Sequence, residues 1–448
     1  MQDNQSLLKK LRLSTWLVSG LFKRYGRVIG ASFISGILVV VFLLRFGPYL
    51  RQLAGRGLVT GLVGSYSPSN LPEQIEKLIS FGLTSISASG EAQPELATSW
   101  EVDTSGTEYT FHLRNDVYWH DKKKFTAYDV NYNLKDVTFT PVSDEVLKVK
   151  LKDSFSPLPT FLAKPLFRKG LVGVGPYKIE SLRLRGDRVS YLKLIPVHSD
   201  LPPIEVKFYP SEAALTTAFK LGEVTSIYDI TDPTPFNGWK NTATETVEKN
   251  NQIVTIFFNL NHQLLKTKDV RQALAYAFDK PEKNRVSTSF SNKSWAYTSR
   301  VKQYEKDLVT ANKLLADIKK SSDAASLTLS TFTSHLALAQ DIASAWAGVG
   351  IVTKVKVETG MPQIFDVLLA IQEIPADPDQ YTMWHSTQTA NNITHYGSPK
   401  IDKLLEDGRK EIDREKRKKL YFDFQRYIIE DVPAIFLYHP TTYTITRK

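Results

Sequence analysis

The chain has no cysteine among its 448 residues. This absence excludes a disulfide framework, a cysteine nucleophile, thiolate ligands for zinc or iron–sulfur clusters, and anchoring through a lipidated cysteine. Histidine is also scarce: the chain has eight, and none stands at HExxH or another metal-ligand spacing. The sequence therefore predicts no metal site and no cofactor.

Motifs for phosphate binding and nucleophilic hydrolysis are missing as well. There is no GxxxxGK[ST] loop and no GxSxG elbow, and residues 173–175 (Gly-Val-Gly) lack the third glycine of a dinucleotide loop. Two carboxylates stand in 377–379 (Asp-Pro-Asp), a sequence that favours a turn. We therefore expect that the protein is not an enzyme. A secreted hydrolase that uses His385 or Asp377 is the least supported alternative.

The basic residues are concentrated at the N-terminus. The chain holds 57 Lys and Arg against 47 Asp and Glu, for a net charge of +10. Residues 1–56 contain nine of the basic residues and one acid, Asp3, so the remaining 48 basic and 46 acidic residues nearly balance. A nearly neutral body argues against a nucleic-acid partner.

An uncharged stretch runs from Val28 to Leu44. A helix of this length spans about 26 Å, close to the roughly 30 Å core of a bilayer. Arg27 and Arg45 flank it, and the larger number of basic residues before the stretch places the N-terminus in the cytoplasm. We therefore expect a cytoplasmic basic segment over 1–27, a single-pass transmembrane anchor over 28–50 and an extracytoplasmic body at the cell membrane.

Two alternatives for this stretch are a cleaved signal peptide and a buried core helix. A signal peptide usually has a shorter basic region and a small-x-small cleavage site soon after the apolar run. The residues after Leu44 read RFGPYLRQ, which is a poor site. A retained anchor is favoured, while cleavage stays open.

Hydrophobic patterns in the body indicate both strands and helices. Alternation over 109–113 and 147–151 predicts half-buried strands, and an apolar stripe over 270–278 predicts a helix capped by Asp269. Three apolar runs of strand length predict strands buried on both faces: 253–260, 366–371 and 434–438. The fold class is α/β with α+β character, in at least two lobes.

Six groups of residues, in the same order along the chain, resemble the signature of the bacterial extracellular solute-binding proteins of family 5. These are the oligopeptide- and dipeptide-binding components of ABC importers. The first group comprises PELATSWEVD at 94–103, YTFHLRNDVYWHD at 109–121 and FTAYDV at 125–130, and the second is GVGPYK at 173–178. The later ones are FN at 258–259 with VRQAL at 270–274, DPD at 377–379, YGS at 396–398 with IDKLL at 401–405, and DVPAIFLY at 431–438.

The resemblance implies a two-lobed fold of the periplasmic-binding-protein type, with a ligand cleft between lobes that two crossing strands connect. Lobe I would comprise 57–250 and a return segment over 432–448. Within it, the small subdomain, at about 84–165, would be reduced. Lobe II would comprise 251–431, so the crossings are expected near 250–253 and 431–434.

The sequence departs from the family pattern in one turn and in one stretch that bears on the ligand. Residues 121–124 read Asp-Lys-Lys-Lys where the family usually has Asp-Gly after its Trp-His pair. Residues 370–376 lack the Trp and Asp that peptide-binding members carry before the Asp-Pro turn, which leaves Glu373 or Asp377 as substitutes. The sequence does not identify the solute.

Aromatic and polar side chains are mixed near Trp384, a combination typical of ligand pockets. We expect Trp384 to supply an apolar wall, and His385 and Asp377 to orient polar groups of the ligand. The full candidate lining is Ser65, Tyr66, Phe257, Asn259, Gln372, Asp377, Trp384, His385 and Tyr438.

The function that follows from the resemblance is capture. A membrane-anchored protein would hold a peptide or similar small solute between its lobes and deliver it to the permease subunits of an ABC importer. The alternative is a ligand-binding sensor or interaction protein of the same fold, with no role in transport.

Overall fold

A computed structural model of the protein describes residues 58–198, 200–316 and 326–448. The basic segment over 1–27 and the anchor expected from Val28 to Leu44 lie outside these residues. No helix in the described part of the chain is both long and apolar enough to cross a membrane. Residues Thr60–Lys448 form one compact unit.

The described residues form eighteen strands. In chain order they are β1 (Leu58–Val63), β2 (Thr84–Ile86), β3 (Ala92–Pro94), β4 (Ala97–Val102), β5 (Glu108–Leu113), β6 (Val137–Pro141), β7 (Val146–Leu151), β8 (Tyr177–Arg185), β9 (Arg188–Pro196), β10 (Ile204–Tyr209), β11 (Ser226–Ile230), β12 (Thr242–Glu248), β13 (Gln252–Phe258), β14 (Ser326–Thr331), β15 (Val352–Val357), β16 (Val367–Glu373), β17 (Ala434–Tyr438) and β18 (Thr441–Arg447).

Nine α-helices accompany these strands within the same described ranges. They are α1 (Glu73–Ile79), α2 (Leu158–Phe161), α3 (Glu212–Leu221), α4 (Lys268–Tyr276), α5 (Leu308–Leu314), α6 (Leu336–Gly348), α7 (Tyr381–Trp384), α8 (Pro399–Lys410) and α9 (Arg414–Asp431). Parallel pairs such as β14–β15 occur beside many antiparallel pairs, which confirms the predicted mixture of α/β and α+β character.

Two large sheets organise the structure. The first has seven strands in the order β12-β18-β11-β1-β10-β9-β8, and the second has five in the order β15-β14-β16-β13-β17. The range expected for the small subdomain, about 84–165, holds a four-stranded sheet, β4-β5-β7-β6, and the hairpin β2-β3. The body is therefore built from two main sheets with a smaller sheet beside them.

The chain passes between the two large sheets twice. The first passage runs from β12 to β13 over residues 249–251. The second lies at 439–440, after β17, which pairs with β13 in the five-stranded sheet. The reason is apolar burial: the side chains of 434–437 belong to the core of that sheet, so the chain leaves it only after Tyr438.

The buried strands agree with the sequence patterns. β13 is buried along nearly its whole length, and β7 alternates between inward Leu147, Val149 and Leu151 and outward lysines. The predicted helix over 270–278 begins earlier, with Thr267 at the N-cap, and Asp269 lies in its first turn. A carboxylate there still stabilises the helix, because the N-terminal end of a helix carries partial positive charge.

The Gly-Val-Gly turn at 173–175 joins the small subdomain to α1. The amide of Gly175 donates to the carbonyl of Ile79 (2.8 Å), and the amide of His120 donates to the carbonyl of Gly173 (2.9 Å). The His120 ring adds a contact from Nε2 to the carbonyl of Gly175 (2.9 Å), and burial lowers the pKa of this histidine. The Gly-Val-Gly motif therefore has a structural role: it connects the turn to α1 and to His120.

Gly173 provides a direct test of this packing. A Cβ added there would lie 2.0 Å from the carbonyl oxygen of Ile79, so we expect Gly173→Ala to destabilise the protein by about 3 kcal/mol or more. Gly348, the last residue of α6, has open space around it, so Gly348→Ala should be neutral or stabilise by up to about 1 kcal/mol. Urea unfolding of both variants measures the difference, and equal stabilities would contradict the packing role.

Candidate functional site

A cavity of about 180 Å³ lies where the first passage between the large sheets meets the β2–β3 hairpin. Its walls come from 86–90, from 250–251, from 290–291 and 293–294, and from 374–376 together with Gln380. The polar lining residues are Ser87, Ser89, Asn250, Asn251, Ser291, Ser294 and Gln380. Lys293 is the one ionisable side chain among the described residues that line it.

Two amides on the cavity wall differ in how their hydrogen bonds are satisfied. Gln380 accepts from the indole of Trp384 (3.0 Å) and donates to the carbonyl of Ser289 (2.6 Å). Asn250 donates to the carbonyl of Glu248 (3.3 Å), but its Oδ1 is buried and has no partner among the described residues. Buried polar atoms are usually paired, so Asn250 Oδ1 is a candidate acceptor for a ligand donor.

The Asp-Pro-Asp turn beside the cavity holds two arginines. Asp377 is buried and accepts two hydrogen bonds from Arg417, one of them 2.8 Å long. Burial alone would lower the pKa of Arg417, but the attraction of Asp377 raises it overall. Asp379 accepts from Arg409 through Nε (3.0 Å) and Nη2 (2.8 Å). Both carboxylates are therefore engaged by arginines, and neither lines the cavity.

The small subdomain contacts the end of α8 directly. The amide of Ser156 donates to the carbonyl of Arg409 (2.8 Å), and the Ser154 hydroxyl donates to the carbonyl of Lys410 (2.8 Å). The Arg409 guanidinium lies over the Tyr381 ring (3.9 Å) and near the Phe155 ring (5.3 Å). Residues 154–156 of the small subdomain thus contact residues 408–410 at the end of α8 directly.

The turn of the β2–β3 hairpin forms a second set of direct contacts, with residues 295, 376 and 414. The amide of Trp295 donates to the carbonyl of Ser89 (3.0 Å), and Glu91 forms an ion pair with Arg414 (2.8 Å). A Cβ on Gly90 would lie 2.2 Å from the carbonyl oxygen of Ala376, so only glycine allows this close approach. The cavity therefore lies beside direct contacts between the hairpin and the chain around the five-stranded sheet.

The sequence model of a protein family, the bacterial extracellular solute-binding proteins of family 5, matches residues 91–150 and 139–393 of this chain. The chain belongs to this family. As a family 5 member it is an extracytoplasmic solute-binding protein, which confirms the resemblance read from its sequence. The oligopeptide-binding protein AppA of Bacillus subtilis is 24% identical over 87% of each chain. The periplasmic oligopeptide-binding protein OppA of Salmonella typhimurium is 24% identical over 80% of this chain and 81% of its own.

Solved structures of similar proteins share the fold. NikZ from Campylobacter jejuni, in complex with Ni(L-His), superposes with a TM-score of 0.74 at 24% identity and covers 88% of this chain and 94% of its own. The substrate-binding protein CtaP from Listeria monocytogenes gives a TM-score of 0.77 at 19% identity over 88% and 94% of the two chains. The two-lobed fold of the periplasmic-binding-protein type is therefore confirmed for this family 5 protein.

Three of the nine predicted lining residues lie near Gln380, but none of the nine lines the 180 Å³ cavity in the described structure. Trp384 is buried, packs edge-on against Phe436 with 6.1 Å between ring centroids, and donates to Gln380. His385 stacks on Tyr381 at 4.1 Å and contacts Glu406 at 3.3 Å. Asp377 is held by Arg417, as described above. Each of these side chains has protein partners.

The other six predicted residues are dispersed. Phe257 and Gln372 are buried in the five-stranded sheet, and Gln372 Oε1 has no partner among the described residues. The Asn259 amide donates to the carbonyl of Phe365 (2.8 Å), and Tyr438 is half-buried at the end of β17. Tyr66 lines a separate cavity with Glu73, Lys77 and Asp229, while the carbonyl of Ser65 accepts from Arg188 (3.4 Å).

The sequence reasoning missed the residues that do line the cavity. Ser89, Asn250 and Ser294 lie in turns and connections, where no hydrophobic period marks their position. Gln380 offered a signal, because it follows the Asp-Pro-Asp turn directly and stands four residues before Trp384. Residues four apart meet on one side of a helix, which is how Gln380 and Trp384 form their hydrogen bond.

Removing Arg417 should be costly, because it would leave the Asp377 carboxylate buried without its partner. We expect Arg417→Met to destabilise the protein by about 3–5 kcal/mol, and Asp377→Leu combined with Arg417→Met to cost less than the sum of the two single changes. Glu73→Gln, in the exposed pair with Lys77, is the control and should change stability by less than about 1 kcal/mol. Denaturant unfolding measures these values, and a cost below 1 kcal/mol for Arg417→Met would contradict the assignment.

Proposed function

We propose that this protein captures a small solute between its two lobes and presents it to an ABC permease. The observation that carries the proposal is the cavity at the passage between the large sheets, which polar and apolar groups line together, beside direct contacts of the small subdomain with the chain around the five-stranded sheet. Relatives support it, since AppA of Bacillus subtilis has been solved in complex with a nonapeptide and NikZ with Ni(L-His). The protein is proposed to hold its solute without altering it.

The proposed lobes follow the two large sheets. Lobe I would run from the start of β1 to 250, with the small subdomain over about 84–165. It would also include β18, which returns to the seven-stranded sheet. Lobe II would run from 251 to Tyr438. This division moves the start of the return segment from 432 to 439, because β17 belongs to the five-stranded sheet.

Capture would work through a shift in population between open and closed forms. A solute that contacts both lobes stabilises the closed form by the difference between its affinities for the two forms. The peptide connections at 249–251 and 439–440 are the proposed hinges. Asn250, Gln380 and Ser89 are the proposed solute contacts in this cavity, and the nine residues proposed from the sequence, which lie outside its lining, stay a separate proposal.

The membrane anchor remains part of the proposal. The uncharged stretch from Val28 to Leu44 and the basic residues before it support a retained, single-pass anchor with the solute-binding lobes outside. The mass of the protein extracted from membranes tests this: the full 448-residue mass supports the anchor, and a shortened soluble form contradicts it.

A thermal-shift screen tests capture. Solute at 100 times its dissociation constant should stabilise the folded protein by about 2.7 kcal/mol and raise its melting temperature. The screen should include di- and oligopeptides, sugars, amino acids and nickel–histidine. Asn250→Leu should abolish the shift because it removes the unpartnered acceptor, whereas Asn241→Leu, at an exposed position, should retain it. No shift with any class of solute would contradict capture.

A further inference from the structure

Helix α8 (Pro399–Lys410) ends against the small subdomain. The last four carbonyls of an α-helix have no partner within the helix and are satisfied by side chains, water or other parts of the chain. Here the Ser154 hydroxyl donates to the carbonyl of Lys410 (2.8 Å), and Ser156 donates to the carbonyl of Arg409 through its amide (2.8 Å) and its hydroxyl (3.0 Å). The helix thus receives its C-terminal cap from a distant segment.

The donors and acceptors lie on different lobes as proposed above. Ser154 and Ser156 precede α2 in the small subdomain, whereas α8 packs with α9 beside the five-stranded sheet. More than 250 residues separate each serine from its carbonyl partner. These hydrogen bonds therefore form only while the two lobes are in contact.

The acceptor end is held in place from within lobe II. Asp379 binds the Arg409 guanidinium, and Arg417 donates to the carbonyl of Gly408 (2.8 Å). The Arg409 guanidinium also lies near the ring of Phe155, between the two serines. The end of α8 is thus fixed before the lobes meet, so the serines find a preformed set of acceptors.

We propose that Ser154 and Ser156 act as closure residues, which stabilise the closed form of the protein by capping α8 across the lobe boundary. The proposal rests on the proposed function, in which closure accompanies capture. Because neither serine lines the cavity, the cap adds the same stabilisation whatever the solute. Ser154 and Ser156 therefore set overall affinity, while the cavity lining sets selectivity.

The chain has no cysteine, so a labelled pair can be introduced cleanly. Lys123→Cys in the small subdomain and Lys354→Cys in β15 provide exposed sites on the two lobes for fluorescence resonance energy transfer. Without added solute, Ser154→Ala with Ser156→Ala should shift the ratio of closed to open molecules about tenfold toward open. Ser299→Ala, at an exposed position, should leave the ratio unchanged.

A conservative rescue separates capping from general damage. Ser154→Thr with Ser156→Thr keeps both hydroxyls and should restore the ratio of the parent protein. Two results would overturn the proposed capping role. One is an unchanged ratio of closed to open molecules in the double alanine variant, and the other is a double threonine variant that is as open as the alanine variant.

Solute binding provides the second readout. For any two solutes found in the screen, the double alanine variant should weaken both dissociation constants by the same factor, and a change in their ratio would overturn the assignment. A population shift in a protein that binds no solute would support the cap and contradict capture. Solute binding without any effect of the serines would support capture and overturn the cap.

Discussion

Two pairs of aspartate and arginine determine the geometry on which the cleft depends. Asp377 binds Arg417 and Asp379 binds Arg409, so a single tight turn holds the end of α8 and the first part of α9. Removing one partner of a buried ion pair lowers the stability of the protein, because the remaining charge is buried where water cannot solvate it. The turn also leads into Gln380, which lines the cavity. The same ion pairs therefore orient the cavity wall and the surface that meets the small subdomain.

The cavity and the contacts around it divide two tasks. Uncharged polar groups and apolar side chains such as Ile86, Phe290 and Ile374 line the cavity together, with Lys293 as the ionisable exception in the described structure, so selectivity there would rest on both hydrogen bonds and apolar contacts. The close approach of Gly90 to Ala376 is part of the cavity wall, whereas the hydrogen bonds at the end of α8 lie outside the cavity and need no solute to form. The free energy of solute binding is therefore the sum of two contributions. One depends on the solute, and the other comes from contacts within the protein and is the same for every solute.

The sequence predicted the class of fold and the buried strands, because apolar runs such as 253–258 and the alternation in β7 depend on local periodicity. The pairing of β17 with β13 depends on tertiary contacts, so no local pattern in the sequence indicates that the chain returns to the seven-stranded sheet only at 439–440. Trp384 and Asp377 were marked by composition, yet their partners Gln380 and Arg417 decide their surroundings. Cavity residues such as Asn250 carry no periodic signal, so only the three-dimensional arrangement identifies them.

Native mass spectrometry of the full-length protein, purified without added solute, tests the central claim most directly. We expect the parent protein to carry a bound small molecule that dissociates as collision energy rises. Gly90→Ala should lose that molecule, because its Cβ would lie 2.2 Å from the Ala376 carbonyl oxygen and hold the walls apart. A parent protein that carries nothing, or an equal load on both proteins, would contradict capture in this cleft.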